Sequence, residues 1–292
     1  MKKVRVIIYF AIVIFAALFN FYFRPIKGNS LVTDDYRKSD AYVNDLYKSD
    51  EYFKKHIVDK EYEDLYRGII KSTLSNAAVT KVPCGGTQEK CYENFTKTIY
   101  SLYLDHPELI SYVGVNGAKY NPKGYVTIEN YEGLSSLQTK MGTRRIEREM
   151  ENIRNDTKNM SDKEKILYVY DYVASHDYDR LFTSIGSNQS AYSFFTRGKS
   201  VCAGFAKASQ IIFQNIEINS YLVINDTHLW NFVEYKNKWY VFDATVGASY
   251  VDKKSPYYYE GLGRTTVNKT YGFYEELYPK VETKKLKELF NV

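Results

Sequence analysis

Cysteine and histidine are scarce in this chain of 292 residues, with three of one and four of the other. Cys84 and Cys91 flank the polar loop Gly85-Gly86-Thr87-Gln88-Glu89-Lys90. That spacing is too wide for a zinc knuckle and no histidine pair stands beside it, which disfavours structural zinc. Charge of one sign is never concentrated. The formal net charge is +5, and Lys and Arg alternate with Asp and Glu throughout, so no nucleic-acid footprint is present. Internal repeats and low-complexity tracts are absent as well. What remains is the composition of an ordinary globular protein, 44% hydrophobic and 26% charged, long enough for one large domain or two small ones.

One stretch lacks charge altogether. Val6 to Phe23 carries no charged side chain over 18 positions, after the basic start Met1-Lys2-Lys3-Val4-Arg5. It also lacks a small-x-small cleavage site, because Phe19-Asn20-Phe21-Tyr22-Phe23 is bulky, and no cysteine follows that could take a lipid. This length just spans a bilayer as a helix, and the basic flank keeps the N-terminus inside. The expectation is an uncleaved signal anchor over residues 1–24, a polar linker over 25–40, and everything beyond on the outside of the cell membrane. A cleaved signal peptide and a secreted protein are the alternative. In an oxidising space Gly85-Gly86 can make the turn that a local Cys84–Cys91 disulfide needs, leaving Cys202 as the odd thiol.

Helical periodicity runs from Asp40 to about Ser75 in two pieces and again from Tyr92 to Leu104, where Asp105-His106-Pro107 stops it. His106 reads as a cap or turn residue beside that proline. Ile110 to Val115 and Gly124 to Ile128 suggest a hairpin. A charged helix follows from about Ser135 to Asn155. Ser161-Asp162-Lys163-Glu164 is a capping box before another helix that ends near His176-Asp177, where the helix dipole explains a histidine as well as catalysis does.

Polar, flexible sequence (Thr196-Arg197-Gly198-Lys199) then leads to Ser200-Val201-Cys202-Ala203-Gly204-Phe205-Ala206 and a run with helical spacing. This predicts a helix with Cys202 at or next to its first position, where unpaired N–H groups and the dipole favour thiolate. Taken alone, the stretch is as well read as a buried structural cysteine, the commoner case. Three strand-like runs follow: Tyr221 to Ile224, His228 to Tyr235 and Lys238 to Asp243. If Lys236-Asn237 is a two-residue hairpin loop, Tyr235 faces Lys238 and Asp243 sits opposite Trp230. His228 and Asp243 are then diagonal neighbours on one face, and a slip of one residue would separate them. A carboxylate holding one imidazole nitrogen leaves the other free for a thiolate. The tyrosine-rich tail reads as irregular chain packed on the core.

Gly198-Lys199-Ser200-Val201-Cys202-Ala203-Gly204-Phe205-Ala206 resembles the nucleophile motif of the transglutaminase-like superfamily, which shares the papain-like fold. Thr227-His228-Leu229-Trp230-Asn231 and Lys238-Trp239-Tyr240-Val241-Phe242-Asp243-Ala244-Thr245 resemble its histidine and aspartate strands. Asp105-His106-Pro107-Glu108-Leu109 and the capping-box helix are similar to segments of bacterial extracellular members. Leu229 stands where the family has alanine, and Val246 where many members have tryptophan. On the hairpin register Leu229 points away from the His228 face, so it alters packing or substrate shape rather than the three chemical groups. The resemblance implies Cys202 as nucleophile, His228 as general base and later acid, and Asp243 as its orienter. It implies an oxyanion held by the Cys202 N–H and one side-chain donor, for which Tyr192 and Gln189 are the candidates. Animal members use calcium, but no acidic loop of EF-hand type is present, so no metal and no cofactor is expected.

The expected fold is α+β: a papain-like, transglutaminase-like core over residues 156–292, with a nucleophile helix packed on an antiparallel sheet. A mainly helical region over 41–155 and the membrane helix precede it. The expected function is cell-surface acyl transfer at glutaminyl or peptide carbonyls through a thioester, ending in transamidation or hydrolysis. The partner is a protein or peptide, in the cell wall or on the surface. A catalytically silent binding module with the same fold is the alternative, and Cys202 in a disulfide is a further one.

Overall fold

The computed structural model describes residues 51–74, 79–109, 115–130, 135–180, 186–250, 253–266 and 274–292. The expected anchor and linker lie outside these residues, and no helix among them is long and apolar enough to cross a membrane.

The N-terminal half begins with α1 (Tyr52–Ile57), a 3-10 turn and α2 (Glu63–Leu74). Strand β1 (Val79–Pro83) and helix α3 (Gln88–Asp105) follow, then β2 (Val115–Asn121) and β3 (Tyr125–Asn130). The three strands form an antiparallel sheet in the order β1-β3-β2. The expected hairpin is therefore present, but its first strand begins at Val115 and residues 110–114 lie outside the described chain. The sequence reading also lacks β1, which is too short to show a period of its own. Leu65, Tyr66, Ile69 and Ile70 of α2 pack on Val82, Val126 and Ile128 of this sheet.

Cys84 and Cys91 are disulfide-bonded. Helix α3 starts inside the loop that the bridge closes, because Thr87 accepts the Lys90 N–H at 3.3 Å as its cap. Closing so short a loop removes chain entropy worth about 2.5 kcal/mol from the unfolded state. The double variant Cys84→Ser/Cys91→Ser is accordingly expected to melt several degrees lower by calorimetry, with the Cys202 chemistry described below unchanged. An unchanged Tm would show the bridge to be thermodynamically idle.

The C-terminal half opens on α4 (Ser136–Thr157) and α5 (Asp162–Ala174), each started by a formed capping box, at Ser135 and Gln138 and at Ser161 and Glu164. Strand β4 (Asp177–Tyr178) pairs in parallel with β5 (Lys199–Ser200). Between them lie a 3-10 turn (Gly186–Gln189) and helix α6 (Ala191–Arg197). The polar stretch before Cys202 is thus not flexible chain. Thr196 and Arg197 end a helix, Gly198 caps it at φ +66°, and Lys199-Ser200 is paired. Ser190 caps α6 through the Ser193 N–H, while Ala191, Phe194 and Phe195 are buried. Seven residues are too few for that periodicity to stand out in sequence.

Helix α7 (Cys202–Asn215) carries the central core, with Phe205, Ala208, Ile211, Ile212 and Phe213 meeting α5 and the sheet β6 (Ser220–Ile224), β7 (Leu229–Tyr235), β8 (Lys238–Phe242). Lys236 and Asn237 both have positive φ, 52° and 58°, and Tyr235 pairs with Lys238, as the two-residue loop requires. Trp230 and Phe232 pack with Phe53, Leu104 and Tyr278, which joins the N-terminal half to the sheet. In the same seam the Lys207 ammonium of α7 lies 3.8 Å from the Tyr103 ring centroid. Burial depresses this lysine to about 7, against the pull of Glu108. His106 is fixed there too, with Nδ1 2.7 Å from Glu108 Oε1, and serves as the turn residue its place before Pro107 suggests. Helix α8 (Ala244–Ala248), two further 3-10 turns and α9 (Leu286–Phe290) complete the chain.

Candidate active site

Cys202 is the first residue of α7, and its predecessor Val201 offers no side-chain cap. The Gly204 and Phe205 N–H groups both donate to Val201 O, at 3.0 and 3.2 Å, and the helix presents its positive end to the thiol at its first position. The approach to the helix is tightly held. Val201 N–H donates to Asn188 O at 3.2 Å, Asp179 N–H to Ser200 O at 2.8 Å, and the buried Ser200 hydroxyl to Asn188 O. Asn188 Nδ2 in turn donates to Asp179 Oδ2 at 2.6 Å. At Gly204 a Cβ would lie 1.9 Å from Ser200 Oγ, so the glycine of this motif is what lets the first turn sit against its own lead-in.

His228 immediately precedes β7. The Asn225 side chain holds that turn by accepting the His228 N–H at 2.9 Å and the Thr227 N–H at 3.0 Å. Asp243 immediately follows β8 and is the N-cap of α8. The hairpin register brings the two together: His228 Nε2 lies 2.8 Å from Asp243 Oδ2. The other oxygen, Oδ1, accepts the Thr245 N–H at 3.1 Å and the Thr245 hydroxyl. The tail adds Thr266, whose N–H donates to Asp243 Oδ2 at 2.8 Å and whose Oγ1 lies 3.0 Å from His228 Nε2. With Nε2 so occupied, Nδ1 is the ring nitrogen left for the Cys202 thiol, whose ionisation the imidazole favours. Asn231 fixes β7 on the nucleophile helix through Ala206 O at 3.1 Å and Gln210 Oε1 at 3.2 Å.

The electrostatics follow from these contacts. Burial pushes the Cys202 thiol up, but the His228 hydrogen bond and charge, with the Leu229 backbone N–H, bring it below its ordinary value. Burial opposes charge on His228, yet the Asp243 hydrogen bond, the Cys202 contact and the Asp243 charge raise it to about 9. A lowered thiol beside a raised imidazole shifts the balance toward a thiolate–imidazolium pair. Among the described residues, no group of three or more His, Cys, Asp or Glu side chains is placed to hold a metal ion.

The structure thus brings Cys202, His228 and Asp243 into one linked set. Tyr192 is on α6, packed against the core with the Arg197 guanidinium 5.8 Å over its ring, and Gln189 ends the preceding 3-10 turn. His176 donates its Nδ1–H to Tyr172 O at 2.9 Å and its ring stacks on Phe194 with centroids 4.1 Å apart, a packing role at the end of α5. Leu229 is buried in the seam with Trp230 and Phe232. Two residues at the site are absent from the sequence reading, Thr266 and Tyr178. Thr266 arrives through a tail with no periodicity to place it. The Tyr178 phenol is close enough to the Cys202 thiol and backbone N–H for both to influence its ionisation, and only the β4–β5 pairing, two residues long, puts it there.

The model of the transglutaminase-like superfamily matches residues 150–244, a span that holds all three linked side chains, so this segment is similar to a transglutaminase-like domain. No curated protein matches the chain. Among solved structures, one described as a TGase is similar at 15% identity with a TM-score of 0.33, covering 49% of this chain and 47% of that one. Another, described as a candidate cysteine protease from Cytophaga hutchinsonii, is similar at 14% identity with a TM-score of 0.29, covering 44% of this chain and 61% of its own. This chain therefore spans less than two thirds of either structure.

Proposed function

We propose that this transglutaminase-like domain is a cysteine-dependent acyltransferase acting on protein or peptide amides through a Cys202 thioester. The observation that supports it is the continuous contact from Cys202 to His228 to Asp243, with the imidazole nitrogens divided between thiol and carboxylate. The thiolate attacks the amide carbon, the C–S bond forms and the carbonyl electrons move to oxygen. When the carbonyl reforms, the C–N bond breaks and the leaving nitrogen takes the proton from the His228 imidazolium. His228 then accepts a proton from an amine or a water as it attacks the thioester, and the thiolate departs. Asp243 keeps the ring oriented throughout, and the Cys202 N–H is one donor to the oxyanion.

The compartment belongs to the same proposal. The basic N-terminal segment and the uncharged run after it, together with the Cys84–Cys91 bridge, support a domain held on the outer face of the cell membrane. A peptide or protein of the wall or surface is the substrate class this location favours.

Incubation of the protein with a glutaminyl peptide and a fluorescent primary amine, read by mass spectrometry, tests the reaction. Amine incorporation with loss of ammonia identifies transamidation. Exchange of the amide nitrogen for oxygen, or cleavage of the peptide bond, identifies hydrolysis. If a broad peptide panel yields none of these and Cys202 takes up no acyl group from an activated ester, the domain is a binding module and the proposal is wrong.

A further inference from the structure

We propose that Tyr178 is the second oxyanion donor of this site, acting with the Cys202 backbone N–H. The inference rests on the acyl-transfer reading and adds to it a group that touches the reacting atoms. Tyr178 stands opposite Ser200 in the parallel β4–β5 pair, so its backbone is fixed two residues before the nucleophile. The next N–H, of Asp179, donates to Ser200 O at 2.8 Å and clamps the same spot. The ring packs on Phe205, one turn into α7, with centroids 5.8 Å apart. These contacts aim the hydroxyl at Cys202, where it meets both the sulfur and the backbone N–H.

What such a hydroxyl can do follows from where charge goes in the reaction. Before attack the negative charge is on Sγ, and the phenol donates to it. As the C–S bond forms, that charge leaves sulfur and appears on the carbonyl oxygen, which is bonded to the same carbon. A substrate oxygen bound at the Cys202 N–H comes to lie beside the phenol oxygen. The phenol O–H then turns from sulfur, which no longer needs it, to the oxyanion, which does. No proton is transferred from the phenol. Burial and the neighbouring thiolate push its ionisation up to about 12, so it remains a donor across the working range. The ring is only half-buried, which leaves a substrate carbonyl room to approach. Tyr178 here takes the role that Tyr192 and Gln189 hold in the sequence reading.

The test separates stabilisation of the oxyanion from activation of the thiol. Two reactions of Cys202 are measured in the full chain and in Tyr178→Phe. Acylation by p-nitrophenyl acetate, followed as a burst of p-nitrophenol, passes through a tetrahedral oxyanion. Alkylation by iodoacetamide displaces iodide at a saturated carbon and forms none. The phenyl ring keeps its place on Phe205, and a retained alkylation rate verifies an intact site. The expected result is a fall in acylation rate of about 10²-fold, with alkylation changed less than about threefold. Equal loss in both reactions would assign Tyr178 to holding or activating the thiol, and unchanged or faster acylation would make it an occupant that substrate simply displaces. Either outcome overturns the proposal while leaving the acyltransferase reading standing. Failure of the wild-type protein to form an acetyl thioester overturns both.

Discussion

Cys202→Ala is expected to abolish covalent chemistry, with turnover of any amide substrate reduced on the order of 10⁴-fold or more. Fold stability should hold within about 1 kcal/mol. The two effects separate because Cys202 sits at the first position of α7, where the backbone and not the side chain serves the helix and the N–H faces the site. Alanine retains that N–H and a good helix former. In the wild-type protein Cys202 is the one cysteine outside the disulfide. Iodoacetamide should therefore label it stoichiometrically at neutral pH, under conditions where an ordinary thiol reacts slowly. Intact mass under non-reducing conditions, with and without the reagent, gives the answer directly. Preferential labelling that fails to appear, or a biological activity that survives Cys202→Ala, would remove the catalytic reading.

The parts of this site that could be read from sequence are those set by strict local geometry. The hairpin is the strongest case. Its two-residue loop fixes the register, and the side-chain period of two then brings His228 and Asp243 to one face without any knowledge of the fold. The structure refines this slightly: both residues sit just beyond the strand ends, and Asp243 turns to cap α8. The capping boxes at Ser135 and Ser161 depend on residues three apart, and only the second was recognisable beforehand because an apolar run follows it closely.

What escaped the sequence depends on contacts between distant segments. Helix α6 and strands β1, β4 and β5 are each too short for a period, and exist because tertiary partners hold them. Asp179 binding Ser200 and Asn188 is one such hold. Thr266 reaches the His228–Asp243 pair because the Gly261 carbonyl accepts the Asp243 N–H at 2.9 Å, drawing the tail across the site. A Cβ on Gly261 would lie 2.0 Å from Asp243 O, so that approach requires glycine. Neither the pairing of Tyr178 with Ser200 nor this crossing leaves a local signature.

Asp243→Asn is expected to lower kcat/KM on the order of 10³-fold and to move the alkaline limb of the pH profile downward. In the wild-type protein the His228 imidazolium is held to about 9, against burial, by the Asp243 hydrogen bond and charge and by Cys202. Activity that needs the ion pair should therefore persist well above neutrality and decline as pH rises through about 9. An amide at 243 removes the charge and leaves burial as the larger influence, which lowers the imidazole and draws the limb toward neutral pH. The linkage to stability has the same sign. His228 is raised from 6.5 in the folded state, so its contribution is complete below 6.5 and is lost as pH climbs through about 9. The wild-type Tm should accordingly fall over that interval more steeply than that of Asp243→Asn. Truncation to alanine goes further, because it leaves His228, the Thr245 hydroxyl and N–H, and the Thr266 N–H without their acceptor, at a cost of about 3–5 kcal/mol. Rates and melts measured on both variants across pH 5 to 10 distinguish these effects. An alkaline limb that stays at its wild-type position in Asp243→Asn would show that Asp243 does not set the charge of His228.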